Sequence, residues 1–133
     1  MSENGISLII STFKREIQVN KILKSLKKQT QKKNIIEIII CDSFSPYNES
    51  NFPENDNFFK IKYLNIKKNI LSAKRNFGIA NSSNNNIILL DDDCIPDENF
   101  IKTYQEDFNK IDEKTIISGV VDYPEEYILN YNH

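Results

Sequence analysis

Hydrophobic residues along this chain fall into short runs that alternate between strand-like and helix-like spacing. The segments 6–12, 35–41 and 87–91 are nearly continuous apolar runs rich in Ile, a pattern typical of strands buried on both faces of a parallel sheet. The segment 58–66 alternates apolar and polar residues and predicts a more exposed strand. The run "TIISGVV" at 115–121 predicts a fifth strand.

Three segments, 15–30, 70–82 and 96–111, show the apolar spacing of an amphipathic helix. The stripes that we expect to face the core are Val19, Ile22, Leu23 and Leu26 in the first helix, Ile70, Ala73, Phe77 and Ala80 in the second, and Phe100, Ile101, Tyr104, Phe108 and Ile111 in the third. The Pro-, Ser- and Asn-rich segment 43–57 predicts a loop. Strands that alternate with helices predict an α/β fold with a Rossmann-like, mostly parallel sheet flanked by helices on both faces.

Polar residues stand where three of the predicted strands end. Thr12 ends the first strand, Asp42 and Ser43 follow the second, and Asp91–Asp93 end the fourth. In open parallel sheets the carboxyl ends of the strands form one edge, and ligands bind at that edge. The sequence therefore predicts a ligand site there.

The three consecutive aspartates, Asp91–Asp93, are the strongest chemical signal in the chain. Adjacent carboxylates repel one another, and near a core they tend to protonate or to bind a cation. In an extended chain Asp91 and Asp93 point the same way and Asp92 the other way, so an Mg²⁺ or Mn²⁺ ion could bind the outer pair through oxygen. A solvated acidic turn is the alternative. The chain has no glycine-rich phosphate loop, which argues against a backbone cradle for phosphates.

Composition narrows the class of protein. A length of 133 residues suits one domain, 1–133. A net charge of -2 gives no basic footprint for nucleic-acid binding, and the only histidine is His133, which argues against hydrolases that use a histidine base. No signal peptide or membrane span is recognised. Cys41 and Cys94 lack metal-ligand spacing, so we expect a cytoplasmic protein with reduced thiols.

The ordered segments "SLIISTFKRE", "IIEIIICDSFS" and "ILSAKRNFGIANSSNNNIILLDDDCIPDENFI" resemble the nucleotide-binding half of family 2 glycosyltransferases, which have the GT-A fold. That family typically shows a strand ending in a Ser-Thr-Tyr/Phe stretch, then "VDDGS", "ARNxGI" and "FLDxD" with a proline. The resemblance covers most of the chain. It implies metal-dependent binding of a nucleoside-diphosphate sugar, foremost a UDP-sugar. It also implies inverting transfer to a glycan or lipid-linked acceptor, as in cell-surface polysaccharide biosynthesis.

The resemblance implies roles for the residues at the strand ends. Thr12 would border the nucleotide base, and Asp42 and Ser43 would contact the base and the ribose, although the family more often has aspartate at the position of Ser43. Arg75 matches the family arginine near the nucleotide, and a solvated surface charge is the alternative. Gly78 is interpreted as a point of close helix packing.

The aspartate triplet matches the acidic motif of the family. The resemblance implies that Asp93, helped by Asp91, binds Mn²⁺ or Mg²⁺ on the diphosphate, and that Asp92 turns toward a sugar hydroxyl. Lys14 and Arg15 are interpreted as surface charges in the first turn of the first helix.

Cys41 and Cys94 each follow a predicted strand. The family's sheet order, 3-2-1-4, places the first strand between them. Two strand spacings are about 9.6 Å, which exceeds the Cα separation of about 7 Å that a disulfide can span. Free thiols are therefore expected.

In the family the catalytic base lies in a second half of the domain, so we expect a chain that ends at His133 to lack transfer activity alone. Asp122, Glu125 and Glu126 fall in a predicted surface tail, and no base is assigned.

Two alternatives remain: a non-catalytic nucleotide-sugar-binding module with a partner chain, and an interaction domain without a ligand. A transferase of this kind is expected in the cytoplasm or at the inner face of the membrane. An uncovered edge near 116–121 predicts a homo-oligomer.

Overall fold

The computed structural model describes residues 5–43 and 59–122. The elements in chain order are β1 (Ile6–Thr12), α1 (Glu16–Leu26), a 3₁₀ turn (Lys32–Asn34), β2 (Ile35–Asp42), β3 (Lys60–Asn65), α2 (Leu71–Ala80), β4 (Ile87–Asp91) and α3 (Phe100–Phe108). The predicted loop at 43–57 lies outside these ranges except for Ser43, and the predicted tail at 122–133 lies outside them except for Asp122.

The strands of the described residues form one parallel sheet in the order β3-β2-β1-β4. β1 lies between two neighbours, with Ser11 opposite Cys41 on one side and opposite Asp91 on the other. The α/β fold expected from the sequence is confirmed, and so is the expected sheet order. Both Cys41 and Cys94 are free thiols.

The main core lies where α1 and α3 cover one face of the sheet. All four residues of the stripe predicted for α1 are buried. In α3, Ile101 is fully buried, and the rings of Phe100 and Tyr104 pack edge to face at 4.9 Å against this core. The strands contribute alternate residues to the same cluster: Ile6, Leu8, Ile10, Ile38, Ile40, Ile61, Ile88 and Leu90.

The other face of the sheet is covered by α2, and here the sequence-based prediction is wrong. The predicted stripe is not the buried face: Ile70 and Phe77 are exposed, whereas Lys74 and Gly78 are buried. Gly78 explains the difference, because a Cβ atom at this position would lie 2.6 Å from Ile9 Cγ2. The helix therefore contacts the sheet closely through its smallest residue, as the packing interpretation of Gly78 proposed.

The predicted fifth strand at 115–121 is also wrong. The structure gives this segment no regular secondary structure, and Ile116 and Val120 are almost fully exposed. An apolar, β-branched sequence favours a strand only where a neighbouring strand supplies hydrogen bonds. Within residues 5–43 and 59–122, β4 pairs with β1 and does not pair with this segment.

A buried acid, Glu37, ties the connection between α2 and β4 to the sheet. Its carboxylate accepts hydrogen bonds from Ser7 Oγ at 2.7 Å, from Ser83 Oγ at 2.9 Å and from the Ser83 backbone N–H. Lys62 Nζ lies 2.8 Å from the second oxygen. Burial opposes ionisation of Glu37, but the bonds from Lys62, Ser83 and Ser7 prevail and lower its pKa to about 2.

No helix among the described residues has the length and apolar character needed to cross a membrane.

Candidate functional site

The carboxyl ends of all four strands meet at one edge of the sheet, as the sequence predicts. Thr12 lies opposite Asp42 in the pairing of β1 with β2, and Asp42 lies opposite Asn65 in the pairing of β2 with β3. Asp91, the last residue of β4, lies opposite Ser11, the residue before Thr12. This edge, defined by Thr12, Asp42, Ser43 and Asp91–Asp93, is called the acidic rim below.

The three aspartates of the rim have different contacts. Arg75 Nη2 of α2 donates to Asp91 Oδ1 at 2.7 Å. Thr12 Oγ1 donates to Asp92 Oδ2 at 2.9 Å, and Arg15 Nη1 lies 3.1 Å from Asp92 Oδ1. Two arginines therefore reach the rim, Arg75 from α2 and Arg15 from the position just before α1. The interpretation of Arg15 as a surface charge missed its contact with Asp92.

Asp91 and Asp93 line the same groove, and Asp92 does not. The extended chain assumed from the sequence is wrong, because β4 ends at Asp91 and the chain turns, with the Cys94 N–H donating to the Asp91 carbonyl at 3.2 Å. The turn still separates the outer pair from the middle acid. The same groove is also lined by Phe100 and Tyr104 of α3 and by the segment 117–122.

Asp42 and Ser43 form a tightly bonded corner at the end of β2. Both residues are buried. The Ser43 N–H donates to Asp42 Oδ1 at 2.7 Å, and Ser43 Oγ donates to the Lys68 carbonyl at 3.1 Å. The Ile66 N–H donates to the Asp42 carbonyl at 2.9 Å. These bonds hold the connection between β3 and α2 over the end of β2.

Lys74 also lies at the rim, although no sequence pattern indicated it. Its side chain is 3% exposed, and its ammonium donates to the Thr12 carbonyl at 2.7 Å and to Asn69 Oδ1 at 2.6 Å. Burial lowers the pKa of Lys74, while the nearby charges of Asp42 and Asp92 oppose that shift. Lys74 was not part of the stripe predicted for this helix, so only the packing of α2 through Gly78 shows that it points inward.

Both thiols lie close to the rim, but neither is a candidate nucleophile. Burial raises the pKa of Cys41 to about 11, and burial together with Asp93 raises the pKa of Cys94. A raised pKa reduces the thiolate fraction that nucleophilic attack and metal binding require.

The donors of the rim suit a hard cation, but they do not complete its coordination. No group of three or more His, Cys, Asp or Glu side chains within residues 5–43 and 59–122 is arranged to hold a metal ion. Asp91 and Asp93 face one groove, and Mg²⁺ sites with one or two carboxylates are usually completed by substrate phosphates and water. The rim therefore fits a cation that arrives with a phosphate ligand better than a permanent structural ion.

A family model described as "Glycosyl transferase family 2" matches residues 7–133. The chain belongs to glycosyl transferase family 2. This confirms the resemblance that the motifs carry. No match was found among curated proteins.

Solved structures of S. aureus TarS share the fold of this family 2 chain. TarS 1-349 superposes with a TM-score of 0.69 at 19% identity, over 80% of this chain and 32% of that one. Its complex with UDP-GlcNAc gives a TM-score of 0.68 at 20% identity, over 80% and 31%. The structure titled TarS gives 0.66 at 21% identity, over 80% and 20%. The chain thus spans about a third or less of the length of these structures.

Proposed function

We propose that this chain is the donor-binding part of a family 2 glycosyltransferase and binds a nucleoside-diphosphate sugar, UDP-sugar foremost, through a divalent cation. One observation carries the proposal: Asp91 and Asp93 face one groove at the strand ends, and Arg75 lies against Asp91. The structure of TarS 1-349 in complex with UDP-GlcNAc, which shares the fold, supports the choice of UDP.

Asp93 and Asp91 would hold Mn²⁺ or Mg²⁺, and the remaining ligands would come from the diphosphate and water. Such an ion neutralises the charge that develops on the departing diphosphate. Arg75 would add a second positive charge beside the phosphates, with five N–H donors suited to their oxygens.

The nucleoside would lie along the buried half of the rim. Thr12, Asp42 and Ser43 are each at most 7% exposed, so only a few of their atoms would meet the base and the ribose. Asp92, held by Thr12 and Arg15, would accept a hydrogen bond from a sugar hydroxyl. These residues bind and orient the donor and carry out no proton transfer.

The acceptor is proposed to be a glycan or a lipid-linked molecule at the cytoplasmic face of the membrane, and transfer is proposed to proceed with inversion. Deprotonation of the acceptor hydroxyl requires a carboxylate base. We assign no base among the described residues, and we propose that it comes from further sequence of the transferase or from a partner chain.

A thermal-shift panel of UDP, GDP, dTDP and CDP, each with Mn²⁺ and with EDTA, tests the proposal. Ligand at a hundredfold its dissociation constant adds about 2.7 kcal/mol to the free energy of unfolding. For a chain of this size the midpoint rises on the order of 10 °C. We expect UDP to give the largest shift, and only with Mn²⁺. Equal shifts with EDTA would contradict the cation bridge, and no shift with any nucleotide would favour an interaction domain.

A further inference from the structure

Lys74 lies where α2 packs against the sheet, and such a position usually holds an apolar residue. Only 3% of its surface is exposed, and burial of an ammonium costs free energy unless hydrogen bonds and opposite charges compensate. Gly78 already makes the close contact with Ile9 and Cys41, so packing alone does not call for a long cationic side chain.

The ammonium of Lys74 joins two connections that border the acidic rim. It donates to the Thr12 carbonyl, where β1 passes into the connection to α1. It also donates to Asn69 Oδ1, in the connection between β3 and α2. Both bonds, at 2.7 and 2.6 Å, are short enough to be strong charge-assisted hydrogen bonds.

The same ammonium lies close to charges on the other two strand ends. Asp42 of β2 and Asp92 after β4 both act on it electrostatically. The Phe13 ring, 37% exposed, lies with its centroid 5.6 Å from Lys74 Nζ, within range of a cation–π contact. Lys74 is therefore linked to every strand end that the rim comprises.

We propose that Lys74 is a positioning residue that fixes the geometry of the nucleotide side of the acidic rim. It holds the Thr12 carbonyl, the Phe13 ring and the Asn69 side chain in one arrangement, and it keeps two aspartates of the rim partly neutralised before a ligand arrives. It does not itself touch the donor, because its surface is buried. The proposal rests on the proposed function, and it deepens that function by naming what preorganises the site.

Lys74→Met tests this role, with Lys62→Met as the matched control. Both changes remove a lysine ammonium close to α2. Lys74 lies in α2 itself, and Lys62 Nζ donates to the carbonyl of Asn81, the residue after α2, and pairs with Glu37. Lys62 is not among the rim residues, and its partner Glu37 lies toward the opposite end of the sheet. We expect Lys74→Met to weaken UDP–Mn²⁺ binding about tenfold or more, and Lys62→Met to leave it within about twofold.

Asn69→Ala is a second test variant. It keeps the buried ammonium of Lys74, so we expect it to fold even if Lys74→Met does not. Asn69 is exposed and contributes one bond to Lys74. Asn81→Ala is its control, because Asn81 is exposed and, within residues 5–43 and 59–122, its side chain bonds to the Phe77 carbonyl of the preceding helix and to no rim residue. We expect Asn69→Ala to weaken binding about threefold and Asn81→Ala to leave it unchanged.

Amide NMR spectra of the ligand-free proteins separate this proposal from the proposed function. Lys74→Met and Asn69→Ala should shift the amide signals of Thr12, Phe13 and Ser43, and the two controls should not. If wild-type protein fails to bind UDP–Mn²⁺ but these signals move, the proposed function fails and the positioning of the rim by Lys74 stands. Unchanged rim signals together with unchanged UDP–Mn²⁺ affinity in both test variants would overturn the proposal.

Discussion

The three aspartates of the rim are adjacent and identical in the sequence, but each has different contacts. Asp91 is paired with Arg75, Asp92 with Thr12 and Arg15, and Asp93 lines the groove beside Cys94. The triplet itself predicted a cation site at the strand ends, because clustered carboxylates need compensation. Which partner each acid takes depends on the turn after β4 and on side chains from β1, from α2 and from the position before α1. Sequence spacing determines neither the turn nor these side chains.

Asp93→Asn should remove metal-dependent nucleotide binding and leave the fold intact or slightly stabilised. The change deletes a ligand charge, and it also relieves repulsion within Asp91–Asp93 in the metal-free protein. Asp97→Asn is the matched control, because Asp97 lines the same groove and caps the Asn99 N–H at 2.8 Å. That control should cost a few tenths of a kcal/mol in stability. Calorimetric titration with UDP–Mn²⁺ measures both, and equal affinities would reduce the triplet to a solvated turn.

Arg75→Met should have opposite effects on metal and nucleotide. In the free protein Arg75 neutralises Asp91, so its removal frees a metal ligand, and Mn²⁺ alone should bind more tightly. UDP–Mn²⁺ should bind more weakly, because the side chain proposed to lie beside the diphosphate loses its positive charge. The ion pair is partly exposed and contributes about 1 kcal/mol or less, so it can exchange partners. Electron paramagnetic resonance of free Mn²⁺ measures the first effect, and loss of affinity for both ligands would contradict the exchange.

Among the elements, Glu37 connects three strands and the turn after α2, and its effect on stability depends on pH. Its pKa is about 2 in the folded chain against 4.5 for the free side chain. A carboxylate with a lowered pKa stabilises the fold at pH values above its pKa in the unfolded chain. The ionised Glu37 therefore contributes about 3 kcal/mol to the free energy of unfolding at neutral pH, and this contribution is lost as pH falls from about 4.5 toward about 2.

Glu37→Gln should therefore flatten the acid side of the stability profile. Urea unfolding at neutral pH and at pH about 3 measures the difference, which should be larger in wild-type protein than in the variant. Glu113→Gln, at an exposed position, is the control and should keep the wild-type profile. The same acid dependence in wild type and Glu37→Gln would show that other carboxylates cause it.

Agreement with the sequence prediction depends on whether an element has a partner surface. β1, β2 and α1 bury nearly all the residues that their spacing predicts, because each packs against neighbours in the sheet or on its face. The prediction that β4 is buried on both faces is wrong, because β4 is an edge strand and Leu89 is exposed. α2 is packed through Gly78, so its inward face is set by the closest backbone approach and not by its largest apolar residues. The segment 115–121 has the amino-acid composition of a strand, but it pairs with no strand among the described residues. Composition alone does not make a segment a strand when no neighbouring strand is there to pair with it.

At the scale of the whole molecule, apolar surface remains uncovered. Ile116, Val120 and Val121 are between 74% and 97% exposed, and Leu89 on β4 is exposed beside an edge that pairs with no other described strand. An edge of this kind offers unpaired backbone groups to a second copy, and contiguous apolar patches favour association.

The purified 133-residue chain should therefore self-associate. Replacing Ile116 and Val120 together by lysine should shift it toward monomer, because charge on an apolar surface opposes association. Ile17→Lys, at an exposed position of α1, is the control and should change nothing. Light scattering coupled to size-exclusion chromatography measures the mass, and a wild-type chain that is monomeric at all concentrations would contradict this prediction.

The central claim is that the acidic rim holds a nucleoside diphosphate through a divalent cation, and Mn²⁺ broadening of amide NMR signals tests it most directly. With UDP present, substoichiometric Mn²⁺ should broaden the signals of Asp91–Asp93 first and those of Thr12 and Asp42 next. Signals near Glu37, which lies toward the opposite end of the sheet, should stay sharp. Without UDP the broadening at the rim should be much weaker, because phosphate oxygens complete the coordination. Broadening centred elsewhere, or a rim pattern that UDP does not change, would contradict the account.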